Sequence, residues 1–280
     1  MKDKELSIDG IKLHYLEWDN GPQSASKNVL LIHGITSNGH VWTRLGEHLS
    51  QQGFRVIGPD LRGRGLSSKP DHGYGIQFHV ADLLTLLDSL GLDRVSILGH
   101  SLGGLIALDM AALFPARVQK LVVVDIGIRL PADTLQAIAA SLSRLGQVYP
   151  SIDAYLDMCK RMPYFTWSDF WDAYFRYDAE VRPDGTVLSR VSKAGIQEEI
   201  ANNATLNAEL LVPMVRAPTL ILRATEGTLA PDRGLLLPRE EADRLLMLIN
   251  GSQIKEIQKT NHYTIILSPE FETAVSGFLK

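Results

Sequence analysis

The sequence predicts an α/β fold: a mostly parallel sheet of eight strands, flanked by helices, with a helical lid inserted into the chain. Three observations carry this. Short apolar runs alternate with stretches whose apolar residues recur at three- and four-residue steps. The alternation stops after residue 127 and resumes at residue 217. Half of the chain's aromatic residues fall in the gap, between Tyr149 and Tyr177. Continuous apolar runs are how strands buried on both faces of a parallel sheet read, and helical stretches between them imply right-handed crossovers.

The N-terminal MKDKELSIDGIKLHY alternates polar and apolar side chains and reads as a strand pair turning at Asp9-Gly10. It lacks the apolar segment of a signal peptide. NVLLIHG (28–34), FRVIGPD (54–60), RVSILGH (94–100) and KLVVVDIG (120–127) are the central strands, bounded by Gly, Asp or Asn. Between them, HVWTRLGEHLSQQG (40–53) and IQFHVADLLTLLDSLG (76–91) are amphipathic helices ending on glycine, the residue best suited to a left-handed cap. Later, APTLILRAT (217–225) is a strand, PREEADRLLMLING (238–251) a helix, QIKEIQ (253–258) a strand and 268–279 a last helix. An ordinary αβ connection takes about two to six residues. Residues 128–211 are therefore a helical cap on a core made of 1–127 and 212–280. Within the cap, helices are expected near 132–147, 151–161, 167–177 and 193–211, with a hairpin at Pro183-Asp184-Gly185.

With 280 residues, 45% of them hydrophobic, the chain is long enough to bury a large core. A formal charge of -4 offers little to a nucleic acid or an anionic membrane. No run approaches the ~20 apolar residues that cross a bilayer. Cys159 is the single cysteine, so no internal disulfide forms. These features read as a cytoplasmic protein acting on a small molecule.

The stretch ILGHSLGGLIALDM (97–110) carries the chemistry. Gly and Ser are common in any strand-to-helix turn. Here Gly99 and Gly103 flank Ser101 where a Cβ would obstruct a sharp turn, directly between a buried strand and a helix. Such a turn lifts the Ser101 hydroxyl to the C-terminal sheet edge and aims the helix's free N–H groups at whatever that oxygen attacks. Ser101 is the expected nucleophile. It needs a base, and His262, in KTNHYTIILSPE, lies past the last strand and reaches the same edge. His33 follows another strand and is expected to hold its loop. Acyl transfer develops an oxyanion, for which the backbone N–H groups of Leu102 and Ile35 are the expected donors.

Taken together, LLIHGITSNGHVW, VIGPDLRGRGLSSKP, ILGHSLGG and the late NHYT resemble the α/β-hydrolase superfamily, in its capped esterase type, over nearly the whole chain. Asp60, Arg62, Gly63 and Gly65 match a family loop that shapes the site entrance and are read as structural. The resemblance implies an acid about nine residues after the proline of PTLILRATEGTLAPD. That position is Gly227, with Glu226 one residue early and Asp232 five late. Asp125, closing LVVVD beside the strand of Ser101, matches the placement in some members of the superfamily. It is the expected acid, with Glu226 and Asp232 as alternatives.

The expected activity is cleavage of a carboxylic ester, or related acyl bond, of a small and largely apolar substrate through an acyl-enzyme. Neither a cofactor nor a metal is implied. Carbon–carbon bond hydrolases, lactonases and amidohydrolases share this serine arrangement, and a weakly catalytic ligand-binding protein is the alternative from another class. Tyr164, Phe165, Trp167 and Trp171 are the expected substrate contacts. A substrate carboxylate would call for a buried arginine, with Arg129, Arg161 and Arg176 as candidates.

Overall fold

Strands β1 (Lys2–Ile8) and β2 (Ile11–Trp18) form the antiparallel pair expected at the N-terminus. In the computed structural model, residues 1–8, 10–21, 27–129, 131, 133–203 and 208–280 are described. Asp9 of the expected turn lies outside them, and Gly10 beside it has φ +81°. The chain continues through β3 (Asn28–Ile32), α1 (Thr43–Ser50), β4 (Arg55–Pro59), α2 (Ile76–Ser89), β5 (Val95–His100), α3 (Leu102–Leu113) and β6 (Val118–Val124). Helices α1 and α2 are followed by Gly53 and Gly91 at φ +81° and +66°, as their glycine endings predict.

An inserted segment follows β6. It comprises α4 (Thr134–Ser143), α5 (Ile152–Lys160), α6 (Asp169–Asp178), the hairpin β7 (Ala179–Val181) and β8 (Val187–Ser189), α7 (Lys193–Asn203) and α8 (Ala208–Leu211). The helix expected over 193–211 is described on either side of 204–207, as α7 and α8, and 204–207 lie outside the described residues. The core resumes with β9 (Thr219–Ala224), α9 (Arg239–Leu248), β10 (Gln253–Ile257) and α10 (Pro269–Leu279).

Eight strands form one sheet in the order β1-β2-β4-β3-β5-β6-β9-β10. Pairing is antiparallel from β1 to β2 and from β2 to β4, and parallel elsewhere. Alternate residues of a strand point to opposite faces. Leu30 and Ile32 of β3, with Leu121 and Val123 of β6, join one apolar core with Leu86 and Ile106. Val29 and Leu31, with Val122 and Val124, join the other with Trp42 and Phe271. The strands therefore need apolar side chains at every position, which is why they read as unbroken runs. The C-terminal ends of β5, β6 and β9 lie side by side, and the site is built on this edge.

Candidate active site

Ser101 interrupts the chain between β5 and α3 with φ +56° and ψ −124°. A non-glycine residue occupies such a state only where its surroundings enforce it, against roughly 1–3 kcal/mol of strain. Glycines permit the enforcement: a Cβ on Gly99 would strike the Gly103 carbonyl, and one on Gly103 the Ile32 carbonyl. The Ser101 amide donates to the Val124 carbonyl at 3.1 Å, and the Ser101 carbonyl accepts from the Gly104 amide at 2.8 Å.

Asp125 closes β6 in a similar way, with φ +48°. Its amide donates to the Leu222 carbonyl at 2.8 Å, and its Oδ1 accepts from the Ala224 amide at 2.9 Å. Its Oδ2 lies 2.9 Å from Nδ1 of His262. A carboxylate only accepts, so Nδ1 carries the ring proton and Nε2 is the basic nitrogen. The His262 loop is turned by Lys259 at φ +56° and capped by Asn261, whose Oδ1 accepts from the amides of Tyr263 and Thr264. His100 braces it further. Its ring centroid is 4.4 Å from that of His262, and its Nε2–H donates to the His262 carbonyl at 2.9 Å. Burial, and then the neighbouring His262, hold the His100 pKa well below the usual imidazole range, so it donates as a neutral ring. Glu226 and Asp232 are both exposed, on a loop turned in on itself at Gly227.

The loop after β3 passes directly over the serine. A Cβ on Gly34 would come 3.2 Å from the Ser101 Cβ, which brings Ile35 beside the hydroxyl's edge of the sheet. His33 holds this loop: its Nδ1–H donates to the Gly34 carbonyl at 2.8 Å, and its Nε2 accepts from the Leu61 amide at 3.0 Å. Burial lowers the His33 pKa to about 4, which keeps the ring neutral for both bonds. A cavity of about 60 Å³ opens on Ser101 and His262.

The family model for the alpha/beta hydrolase fold matches residues 27–269. This chain is an α/β hydrolase. The 2-(acetamidomethylene)succinate hydrolase of Mesorhizobium japonicum is 32% identical over 286 residues, spanning 99% of this chain and 94% of that protein. A crystal structure of E-2-(acetamidomethylene)succinate hydrolase superposes with a TM-score of 0.86 at 25% identity, covering 99% of this chain and 98% of that one. The 2-hydroxy-6-oxo-2,4-heptadienoate hydrolase of Pseudomonas putida is 31% identical over 264 residues, 86% of this chain and 84% of that protein. Uncharacterised proteins of Mycobacterium bovis and Mycobacterium tuberculosis are 38% identical over 133 residues, 44% of this chain, and the match covers only 39% of their length.

In this hydrolase, Phe165 and Trp171 line the cavity, together with Met162, Tyr174 and Phe175. Tyr164 and Trp167 do not. The Tyr164 ring stacks on Tyr263 at 4.5 Å, and its carbonyl accepts from Asn261 Nδ2 at 2.7 Å, so Tyr164 braces the His262 loop. Trp167 stacks on Phe175 at 5.7 Å, with Lys160 Nζ 5.7 Å from its ring. The arginine expectation is also corrected. Arg129 and Arg176 pair with Glu209 and Asp172 on the surface, and Arg161 is exposed. Arg144, capping α4, lines the cavity instead and is buried. Burial alone would lower its pKa, but the Asp178 carboxylate, 3.6 Å from Nε, raises it by more and keeps the guanidinium charged.

The family loop has its expected structural character. Buried Asp60 accepts from the amides of Gly39 and Leu66 at 2.7 and 2.9 Å, and Arg62 forks onto Asp82. Gly63 and Gly65 adopt φ +77° and +51°. Among the described residues, no group of three or more His, Cys, Asp or Glu could hold a metal ion, and no helix is long and apolar enough to cross a membrane.

Proposed function

We propose that this hydrolase is a serine enzyme cleaving a carboxylic ester, or a related acyl bond, of a small and largely apolar substrate through an acyl-enzyme. The reading rests on the 2.9 Å His262–Asp125 hydrogen bond at a cavity that Ser101, on its strained turn, also lines. Nε2 of His262 takes the Ser101 proton as Oγ bonds to the substrate carbonyl carbon. The carbonyl oxygen becomes an oxyanion, met by the N–H groups of Leu102 and Ile35. The imidazolium, stabilised by Asp125, gives its proton to the leaving group as the acyl bond breaks. Water, deprotonated by His262, then attacks the acyl carbon; Oγ leaves, recovers its proton and the acid is released. The inserted segment, 128–211, acts as the lid that closes the cavity from above the sheet edge.

Arg144 favours a second reading, in which the substrate carries a carboxylate. A buried cation on a mostly apolar wall attracts an anionic group, although here it shares its charge with Asp178 and donates to the Ser141 and Thr36 carbonyls. Two of the relatives are named for acids, one a 2-(acetamidomethylene)succinate and the other a 2-hydroxy-6-oxo-2,4-heptadienoate. The experiment has two arms. A fluorophosphonate probe should label Ser101 in the wild type and leave Ser101→Ala unlabelled; labelling elsewhere, or unchanged turnover by the alanine variant, overturns the serine mechanism. Matched neutral and carboxylate-bearing esters, amides and β-diketones then choose the substrate. Higher kcat/KM on neutral esters supports the first reading. A preference for the acids that disappears in Arg144→Met supports the second.

A further inference from the structure

Two buried arginines grip successive carbonyls of the loop that carries Ile35. Arg64 Nε–H donates to the Ile35 carbonyl at 3.0 Å, and Arg144 Nη2–H donates to the Thr36 carbonyl at 2.7 Å. The next residue is held as well, since the Tyr174 hydroxyl donates to Ser37 Oγ at 3.0 Å. Each arginine is matched by a carboxylate of the inserted segment: Arg64 pairs with Glu199 of α7, and Arg144 faces Asp178 of α6. The side chains of Arg64, Glu199 and Asp178 are fully buried, and that of Arg144 nearly so.

A trans peptide is planar, so its N–H points opposite its C=O. The Ile35 N–H belongs to the peptide whose carbonyl, on Gly34, is held by His33 Nδ1 at 2.8 Å and the Ser37 amide at 3.1 Å. The following peptide carries the Ile35 carbonyl that Arg64 holds. The Gly34–Ile35 plane sets the direction of the Ile35 N–H, and Arg64, by holding the next plane, resists the rotation about Ile35 φ and ψ that would let the loop carry that N–H away. A guanidinium buried in this way needs its counter-charge. Glu199 supplies it: burial would raise the Glu199 carboxyl, but the charge of Arg64, followed by His79, lowers it to about 2. His79 Nε2 sits 2.7 Å from the second Glu199 oxygen, so both oxygens are engaged.

We propose that Arg64 is a positioning residue for the oxyanion donor of Ile35, and that Glu199 makes this positioning depend on the docked inserted segment. The proposal rests on the serine mechanism above. Arg64 lies outside the cavity lining, so its replacement removes no substrate contact. Arg144 lines the cavity and is left intact in the test.

The variants are Arg64→Lys, which keeps a cation for Glu199 but not the forked donor, and Glu199→Gln, which keeps the shape but not the charge. Turnover of one activated ester is measured per active site titrated with fluorophosphonate, so unfolded protein does not count. A trifluoromethyl ketone, which forms a tetrahedral oxyanion on a serine, is measured alongside. Losing one oxyanion donor outright typically lowers kcat by roughly 10²–10³-fold. A misaimed donor should lower kcat per site about tenfold or more in both variants, with KM within about twofold and ketone affinity falling in step with kcat/KM. Unchanged kcat per titrated site, a change in KM alone, or unaltered ketone affinity overturns the proposal. Wild-type protein that the probe does not label at Ser101 overturns the serine mechanism instead, so the two failures are distinguishable. If Arg64→Lys does not fold, Glu199→Gln alone carries the test.

Discussion

At the sheet edge, Ser101 and Asp125 are aimed by the main chain: both sit at positive φ, and each amide bonds a carbonyl of the neighbouring strand. In the inserted segment, Arg144 and Tyr174 are aimed by side-chain contacts reaching across to residues 36 and 37. The Ser101 turn depends on glycines within a few residues, and Asp125 on the main chain of the neighbouring strand β9. The placement of Arg144 and Tyr174 depends on partners a hundred or more positions away. The serine turn is therefore written locally and tolerates little change, whereas the contacts of the inserted segment are assembled only when the fold closes.

The sharpest way to break this contrast is at the serine. Ser101→Ala should lower kcat on an activated ester by on the order of 10⁴-fold or more, with the thermal midpoint nearly unchanged. Retention of more than about a hundredth of the wild-type rate would rule Ser101 out as nucleophile. Asp125→Asn follows, with a loss of about 10³–10⁴-fold, because an amide neither stabilises the imidazolium nor enforces its tautomer. Glu226→Gln and Asp232→Asn should stay within about twofold. A crippled Glu226 or Asp232 variant beside a healthy Asp125→Asn enzyme would return the acid to the loop after β9.

Within the inserted segment, Trp171→Ala should shift relative kcat/KM among acyl chain lengths by about tenfold or less, while Trp167→Ala should leave that ranking unchanged. Equal effects from the two would show that cavity lining does not set selectivity. The smallest effect concerns acid stability. The folded Glu199 carboxyl is depressed, so its contribution is fully present above the usual carboxylate pKa and is lost as pH falls toward about 2. Glu199→Gln has no such group. Its stability, followed by urea midpoints, should fall less steeply than the wild type's between about pH 4.5 and 2; parallel slopes would refute the assignment.

The same contrast governs what could be read from the sequence. Gly99, Ser101 and Gly103 lie within five residues, and the strands around them are continuous apolar runs, so turn and sheet were legible together. Asp125 was legible through strand adjacency, since β6 pairs with β5. Arg144 was not. An arginine ending an amphipathic helix reads like any solvated cation, and Arg129, Arg161 and Arg176 had equal claims until the fold put α4 against the loop after β3. Aromatics at helical spacing failed for a related reason. Tyr164 and Phe165 are adjacent in sequence, yet one stacks on Tyr263 and the other faces the cavity.

The loop after β9 is left with none of the proposed reacting groups. Its turn is closed by its own main chain, with Gly227 N bonded to the Pro231 carbonyl and Arg233 N to the Ala230 carbonyl, and Pro231 and Asp232 are exposed at its tip. In evolutionary terms this is unconstrained ground beside a constrained one. Residues 229–233 are free to drift, lengthen or accept a grafted peptide without moving the serine, the histidine or the aspartate. With the acid proposed on β6, the proposed chemistry draws on no group of this surface turn.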